Sequence, residues 1–264
     1  TYMDLTFKYR IIIIESLNTD NGDSLTGTHL FQNILQRLPS KFPYIETSFY
    51  AVHSLGELHK ATDKIKSIVD NGDIVILHIE AHGGEEGVTL YDDSIISWIE
   101  LYNLIRPINI KISNRLILNL ALCEGISLLG KIDIHNRAPF SIAFFFNRKI
   151  YQNEVLRGMV QFYSFDNNPF ALVESAKRVN EAIDGNEHKC VFGWITAEQQ
   201  YDETMNPERD PDMFKRMIAN NYSNFREKGI TTKSFDDFVQ EVKQLLIAEG
   251  ASYRSHYLFK DIND

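Results

Sequence analysis

Four consecutive isoleucines, Ile11 to Ile14, followed by Glu15, constrain the fold of this chain more than any other stretch. A run with no polar residue at alternate positions has no solvent face, so a strand made from it is buried on both sides, as in a parallel sheet covered by helices. Further apolar runs follow at about Ile45–Val52, in "DIVILHIEAHGG" from Asp73, "RLILNLALCEG" from Arg115, "PFSIAFFFNRKI" from Pro139 and "CVFGWIT" from Cys190. Segments of helical period separate them: Thr28–Leu38, Leu55–Val69, "ISWIELYNLI", Asn153–Tyr163 and Pro169–Ile183. Pro39 and Pro43 are expected to end the first helix and Pro107 the third. Ser97 with Glu100 match a capping box, and Asn168 is expected to cap the helix at Pro169.

Strands alternating with helices predict an α/β fold: three α-β-α layers around a mostly parallel central sheet. From Tyr201 the character changes to two amphipathic segments, "DPDMFKRMIANNYSNFREKG" and "SFDDFVQEVKQLLIAEG". Residues 1–200 are therefore expected to form one domain, and 201–264 a helical extension packed on it.

With 264 residues, 44% of them apolar, the chain can bury a full core. A formal net charge of −9 argues against a nucleic-acid surface, because phosphates would be repelled. The apolar runs fall well short of the roughly 20 residues that span a bilayer, so no membrane helix is expected. Cys123 and Cys190 show no CxxC spacing or paired framework, which suits a reducing cytosol. The opening "TYMDLTFKYR" does not read as a secretory leader, and its start at Thr1 fits a chain trimmed or cut from a longer one.

The segments from Asp73 and Arg115 carry the chemistry. One strand runs into His82-Gly83 and the other into Cys123, and the carboxyl ends of parallel strands are where open α/β sheets place their sites. The 41 positions from His82 to Cys123 hold one crossover helix, so the two strands are expected to be neighbours. A thiol is nucleophilic as thiolate, and an imidazole can take its proton and return it to a leaving amine. Gly83 lets backbone approach a substrate, and its N–H with that of Cys123 suits an oxyanion. His78 and His82 also form an HxxxH pair, but on a strand they lie about 13 Å apart, too far for one metal ion. His78 is read as a strand residue and Cys190 as an inert buried thiol; Glu80, Glu85 and Glu86 could orient His82 or attract a basic substrate, but are read in preference as solvated loop acids.

"VILHIEAHGG" followed by "LILNLALCEG" resembles the caspase-like cysteine peptidases, a superfamily that includes metacaspases and separases, and most closely its bacterial CHAT branch. The order of the later segments, "GVTLYDDSIISWIELYNLI", "APFSIAFFFNRKI" and "FYSFDNNPFALVESAKRVNEA", supports the resemblance over roughly residues 8 to 197. It implies a caspase-like fold and a cysteine endopeptidase working through an acyl-enzyme. His82 is then the base, Cys123 the nucleophile, and the N–H groups of Gly83 and Cys123 the oxyanion donors. No metal or organic cofactor is implied. A protein or peptide substrate is implied, with an activating protein partner as a further expectation, and defence or regulated proteolysis in a bacterial cytoplasm would fit.

Two departures matter. Ala121 stands two positions before Cys123, where caspases carry Gln and metacaspases Asp, so specificity does not transfer. Only about 16 residues separate Cys123 from Phe140, too few for a cleavable linker, so maturation there is not expected. The resemblance implies a substrate pocket at Asp20, Asp23, Ala121 and Glu124, since the loop after the first strand often contributes to it in the wider family. The two aspartates would then favour a basic residue before the scissile bond, although "NTDNGD" is equally the composition of a plain surface turn. Two alternatives stay open: a catalytically silent caspase-like domain that binds a protein partner, and a small-molecule hydrolase with a Cys-His pair, which lacks an evident Asp or Asn third member.

Overall fold

The computed structural model describes residues 8–133, 136–165, 168–184, 191–205 and 231–262, with 215, 218, 219, 222, 223, 226, 227 and 229 between the last two segments. The chain divides into two compact units, 1–132 with 138–196, and 133–137 with 197–264.

The larger unit is a three-layer α/β structure. Its strands are β1 (Tyr9–Ser16), β2 (Ile45–Ala51), β3 (Ile74–Gly83), β4 (Gly87–Thr89), β5 (Ile95–Ser97), β6 (Leu116–Leu120), β7 (Ile142–Phe146) and β8 (Phe192–Thr196). The main sheet runs β2-β1-β3-β6-β7-β8, parallel except for β8, which pairs antiparallel with β7. The isoleucine strand β1 is buried along its whole length, as a strand covered on both faces must be. Strand β3 lies next to β6, so one crossover does join the two motif-bearing strands.

Alternation along each strand sorts the core into two layers. Ile12, Ile14, Val75, Leu77 and Leu118 pack on one side with α3 (Leu55–Ile68) and α4 (Trp98–Lys111). Ile11, Ile13, Ile76 and Ile117 pack on the other with α1 (Thr26–Asn33), α5 (Gln152–Phe162) and α6 (Leu172–Asp184).

Three boundaries differ from expectation. Helix α4 carries the expected Ser97–Glu100 capping box but runs through Pro107 to Lys111. Proline inside a helix costs about 3 kcal/mol. Ile105, Ile108 and Ile112, each at most 1% exposed, offset that loss, because a buried isoleucine contributes about 1.5–3 kcal/mol. The segment 26–41 breaks into α1, a 3-10 turn and the short α2 (Leu38–Lys41), in which Pro39 occupies the first turn instead of ending a helix. Helix α6 begins at Leu172, since the Asn168 carboxamide accepts from the Phe170 N–H and holds Pro169 and Phe170 in a turn. The β4–β5 hairpin was not anticipated; its strands are too short for a periodic signal.

In the smaller unit, α7 (Ala197–Met205) and α8 (Phe235–Tyr257) are tied by Arg254, which pairs with Asp202 at 2.9 Å and with Glu198. The first amphipathic segment falls largely outside the described residues, but its Ile218 and Tyr222 pack with Phe238 and Val239. Cys190 also lies outside them. Among the described residues, no helix is long and apolar enough to cross a membrane.

Candidate active site

Strand β3 continues two residues past its parallel partners, ending at His82 and Gly83, which pair with Thr89 and Val88 of β4. The loop beyond is tightly held: the Gly84 carbonyl accepts from the Trp98 indole at 3.0 Å, and the Gly84 N–H donates to Gly87 O at 2.9 Å. Strand β6 delivers Cys123 beside it. Gly83 meets Cys123 so closely that a Cβ on Gly83 would lie 2.0 Å from the Cys123 carbonyl oxygen. Only glycine permits that contact, and it brings the imidazole-bearing loop against the thiol-bearing one. Glu124 then turns the chain in the left-handed region (φ 57), at the entrance to a 3-10 helix.

His82, its side chain 55% exposed, bonds through Nε2 to Asp23 Oδ2 at 2.9 Å. The other carboxylate oxygen accepts from Gln152 Nε2 at 2.8 Å, and the Asn18 N–H donates to Oδ2 at 2.9 Å. Burial works against ionisation of Asp23, yet the bonds from Asn18, His82 and Gln152 outweigh it and hold the carboxyl below the usual carboxylate range. Nε2 is thereby committed to Asp23, which leaves Nδ1 as the other ring nitrogen. The Cys123 Sγ sits against backbone: the Ile150 N–H donates to it at 3.3 Å, and the thiol reaches Ile150 O at 3.6 Å. Glu154 fixes the start of α5 by accepting the Tyr151 N–H at 2.9 Å, so residues 150–152 touch the thiol and, through Asp23, the imidazole.

A cleft of about 370 Å³, including its open mouth, runs between these groups. His82, Cys123 and Gln152 border it; Leu17, Ala81, Ala121, Leu122, Ile150 and Val155 form apolar wall; Thr26 and Glu80 line it as well. Of the residues assigned from sequence to a substrate pocket, Ala121 lies in the cleft wall. Glu124 does not line it. Asp20 is exposed, its carboxylate 3.4 Å from the Tyr91 hydroxyl, and Asp23 is engaged with His82.

Glu80 corrects the reading of a solvated loop acid: it is 3% exposed and lies within β3. Its carboxylate accepts from Thr26 Oγ1 and from His78 Nε2 at 3.1 Å. His78, fully buried, receives a bond at Nδ1 from the Tyr163 hydroxyl at 3.1 Å. Burial, with the Glu80 charge adding to it, pushes that phenol far above its ordinary range, so it stays a donor. Asn119 Nδ2 lies 3.3 Å from the same oxygen. The HxxxH histidines thus belong to separate networks, His78 beneath the cleft and His82 at its mouth. Glu85 and Glu86 are exposed, as expected.

The Asp23 clamp has a pH signature. A carboxyl whose folded pKa is depressed contributes in full above its unfolded value near 4, and that contribution disappears as the pH falls through the lower folded value. Asp23→Asn is therefore expected to cost about 1 kcal/mol at neutral pH. The cost should shrink progressively below about pH 4. Thermal midpoints of both proteins across the acid range measure it, and a difference that stays constant to the lowest pH excludes the clamp.

No family model and no curated protein sequence matches the chain. Among solved structures, the crystal structure of the Drosophila initiator caspase Dronc matches with a TM-score of 0.46 and 11% identity, over 71% of this chain and 79% of that one.

Proposed function

We propose that the protein is a caspase-like cysteine endopeptidase. The observation that carries this reading is the meeting of Gly83 and Cys123 at the carboxyl ends of adjacent parallel strands, with the exposed His82 oriented by Asp23. The resemblance of the two strand motifs to caspase-like peptidases, nearest the CHAT branch, supports it. Cys123 Sγ forms a bond to the substrate carbonyl carbon as its proton passes to His82 Nδ1. The N–H groups of Gly83 and Cys123 receive the oxyanion. His82 returns the proton to the departing amine, and water then hydrolyses the thioester. Asp23 acts through His82 as a positioning residue. A reducing cytosol keeps Cys123 available, and a protein chain with a basic residue before the scissile bond suits the cleft.

A peptidyl chloromethyl ketone is expected to alkylate Cys123 in the wild type, the sulfur displacing chloride from the methylene carbon, found by peptide mass mapping, and not in folded His82→Ala. An unreactive Cys123 toward every such ketone overturns the reading and favours a silent protein-binding domain.

A further inference from the structure

We infer that Glu80, not Asp20 or Asp23, selects the substrate residue before the scissile bond, and that it selects arginine or lysine; this rests on the peptidase reading. Among the residues lining the cleft, Glu80 is the one acid. It is nearly buried, whereas His82 at the mouth is more than half exposed, so the carboxylate stands at depth behind the reacting groups. Leu17, Ala121, Ile150 and Val155 supply apolar wall on the way in. A wall of that kind ending in a carboxylate matches a long side chain with an aliphatic stem and a cationic tip.

The carboxylate has capacity to spare. It accepts one bond from Thr26 and one from His78, while an ionised carboxyl has about four acceptor positions. Those two bonds also fix its direction, since Thr26 begins α1 and His78 is anchored on Tyr163. Strand register places Glu15 directly opposite Glu80, and both lie against Gly27, whose missing Cβ would come 2.8 Å from Glu80 Oε2 and 2.9 Å from Glu15 Oε1. Glu15 is held by the Thr28 N–H and hydroxyl, at 2.9 and 2.6 Å. A second carboxyl beside the first, pushed above the usual carboxylate range chiefly by burial, adds acceptor oxygens that suit a cationic tip and disfavour an acidic one. Ala121 contributes by its size: the position facing the cleft two residues before the nucleophile leaves room for a long side chain.

The experiment uses peptidyl chloromethyl ketones that differ only in the last residue (glycine, norleucine, aspartate, lysine or arginine) and reads the rate of Cys123 alkylation, with loss of chloride, by intact mass. On the wild type, the arginine and lysine ketones should react at least about 30-fold faster than norleucine, the return from one charge-assisted contact in a partly desolvated site. Glu80→Gln should bring the arginine-to-norleucine ratio to within about threefold of one, since the charge is removed and the shape kept. Ala121→Met, which narrows the cleft without touching the carboxylate, should slow arginine and norleucine probes together relative to glycine, and it stands even if Glu80→Gln does not fold. Equal rates for arginine and norleucine on the wild type, fastest reaction with aspartate, or an arginine preference surviving in folded Glu80→Gln overturns the assignment. If even the glycine ketone leaves Cys123 untouched, the peptidase reading fails and the assignment with it.

Discussion

Cys123→Ala is expected to lower peptide cleavage by about 10⁴-fold or more, and His82→Ala by a comparable factor. The informative quantity is the double variant, which should lose no more than either single one. In the proposed mechanism thiol and imidazole act on one proton and one forming bond, so once either is gone the other has nothing left to assist. Neither change should disturb the fold: His82 projects mostly into solvent, and Cys123 bonds only to the backbone of Ile150. Values of kcat/KM for the four proteins, with matched thermal midpoints, test this. Losses that multiply would show that the two residues act on separate steps.

Gly83→Ala should be nearly as damaging, through a different physical cause. The added methyl would have to occupy a point 2.0 Å from the Cys123 carbonyl oxygen and 2.7 Å from Leu122 Cδ1. The leucine tip can swing away, but the carbonyl belongs to backbone fixed by β6, so the two loops must separate by more than an ångström. Misplacement of reacting groups by about 1 Å costs on the order of 100-fold in rate. Forcing backbone apart in a packed region adds a stability loss of about 1–3 kcal/mol. The result expected is a lower denaturation midpoint and a kcat that falls more than KM rises. A fully active Gly83→Ala would mean that the two loops do not meet as described. Gly84→Ala serves as a control, since a Cβ there would meet nothing within 4 Å.

The framework of this fold was legible because its strands announce themselves. Ile11–Ile14, "IVIL" and "LILNL" are buried on both faces, and such runs have few alternatives to a central parallel strand. The meeting of the His82 and Cys123 strands followed from spacing and from the rule that sites gather at strand ends. The surroundings of those residues followed from neither. Asp23 sits in "NTDNGD", a stretch with the composition of any surface turn, and acquires its role from His82 and from Gln152, which is 129 positions away. Glu80 was misassigned because the apolar run is broken at His78 in sequence, whereas β3 continues past it, paired with β1 through Ala81 and with β4 at His82 and Gly83. Once the strand reaches that far, alternation puts His78, Glu80 and His82 on one face. Pro107 shows the same limit: its local cost is visible in sequence, and the tertiary burial that overrides it is not.

The bond from Gln152 to Asp23 also sets an order of events during synthesis. Strand β3 can pair with β1 as soon as both have emerged, whereas the groups that meet the thiol and bind Asp23 are supplied by residues 150–152, more than a hundred residues after the first wall of the cleft has been made. Contacts of such long range form late, after much of the chain is available to fold. A nascent chain that has emerged only as far as Cys123 therefore carries the thiol without the Ile150 N–H that meets its sulfur. On the proposed function, the site is complete only once residues 150–152 have joined it, so cleavage would begin after the cleft is whole.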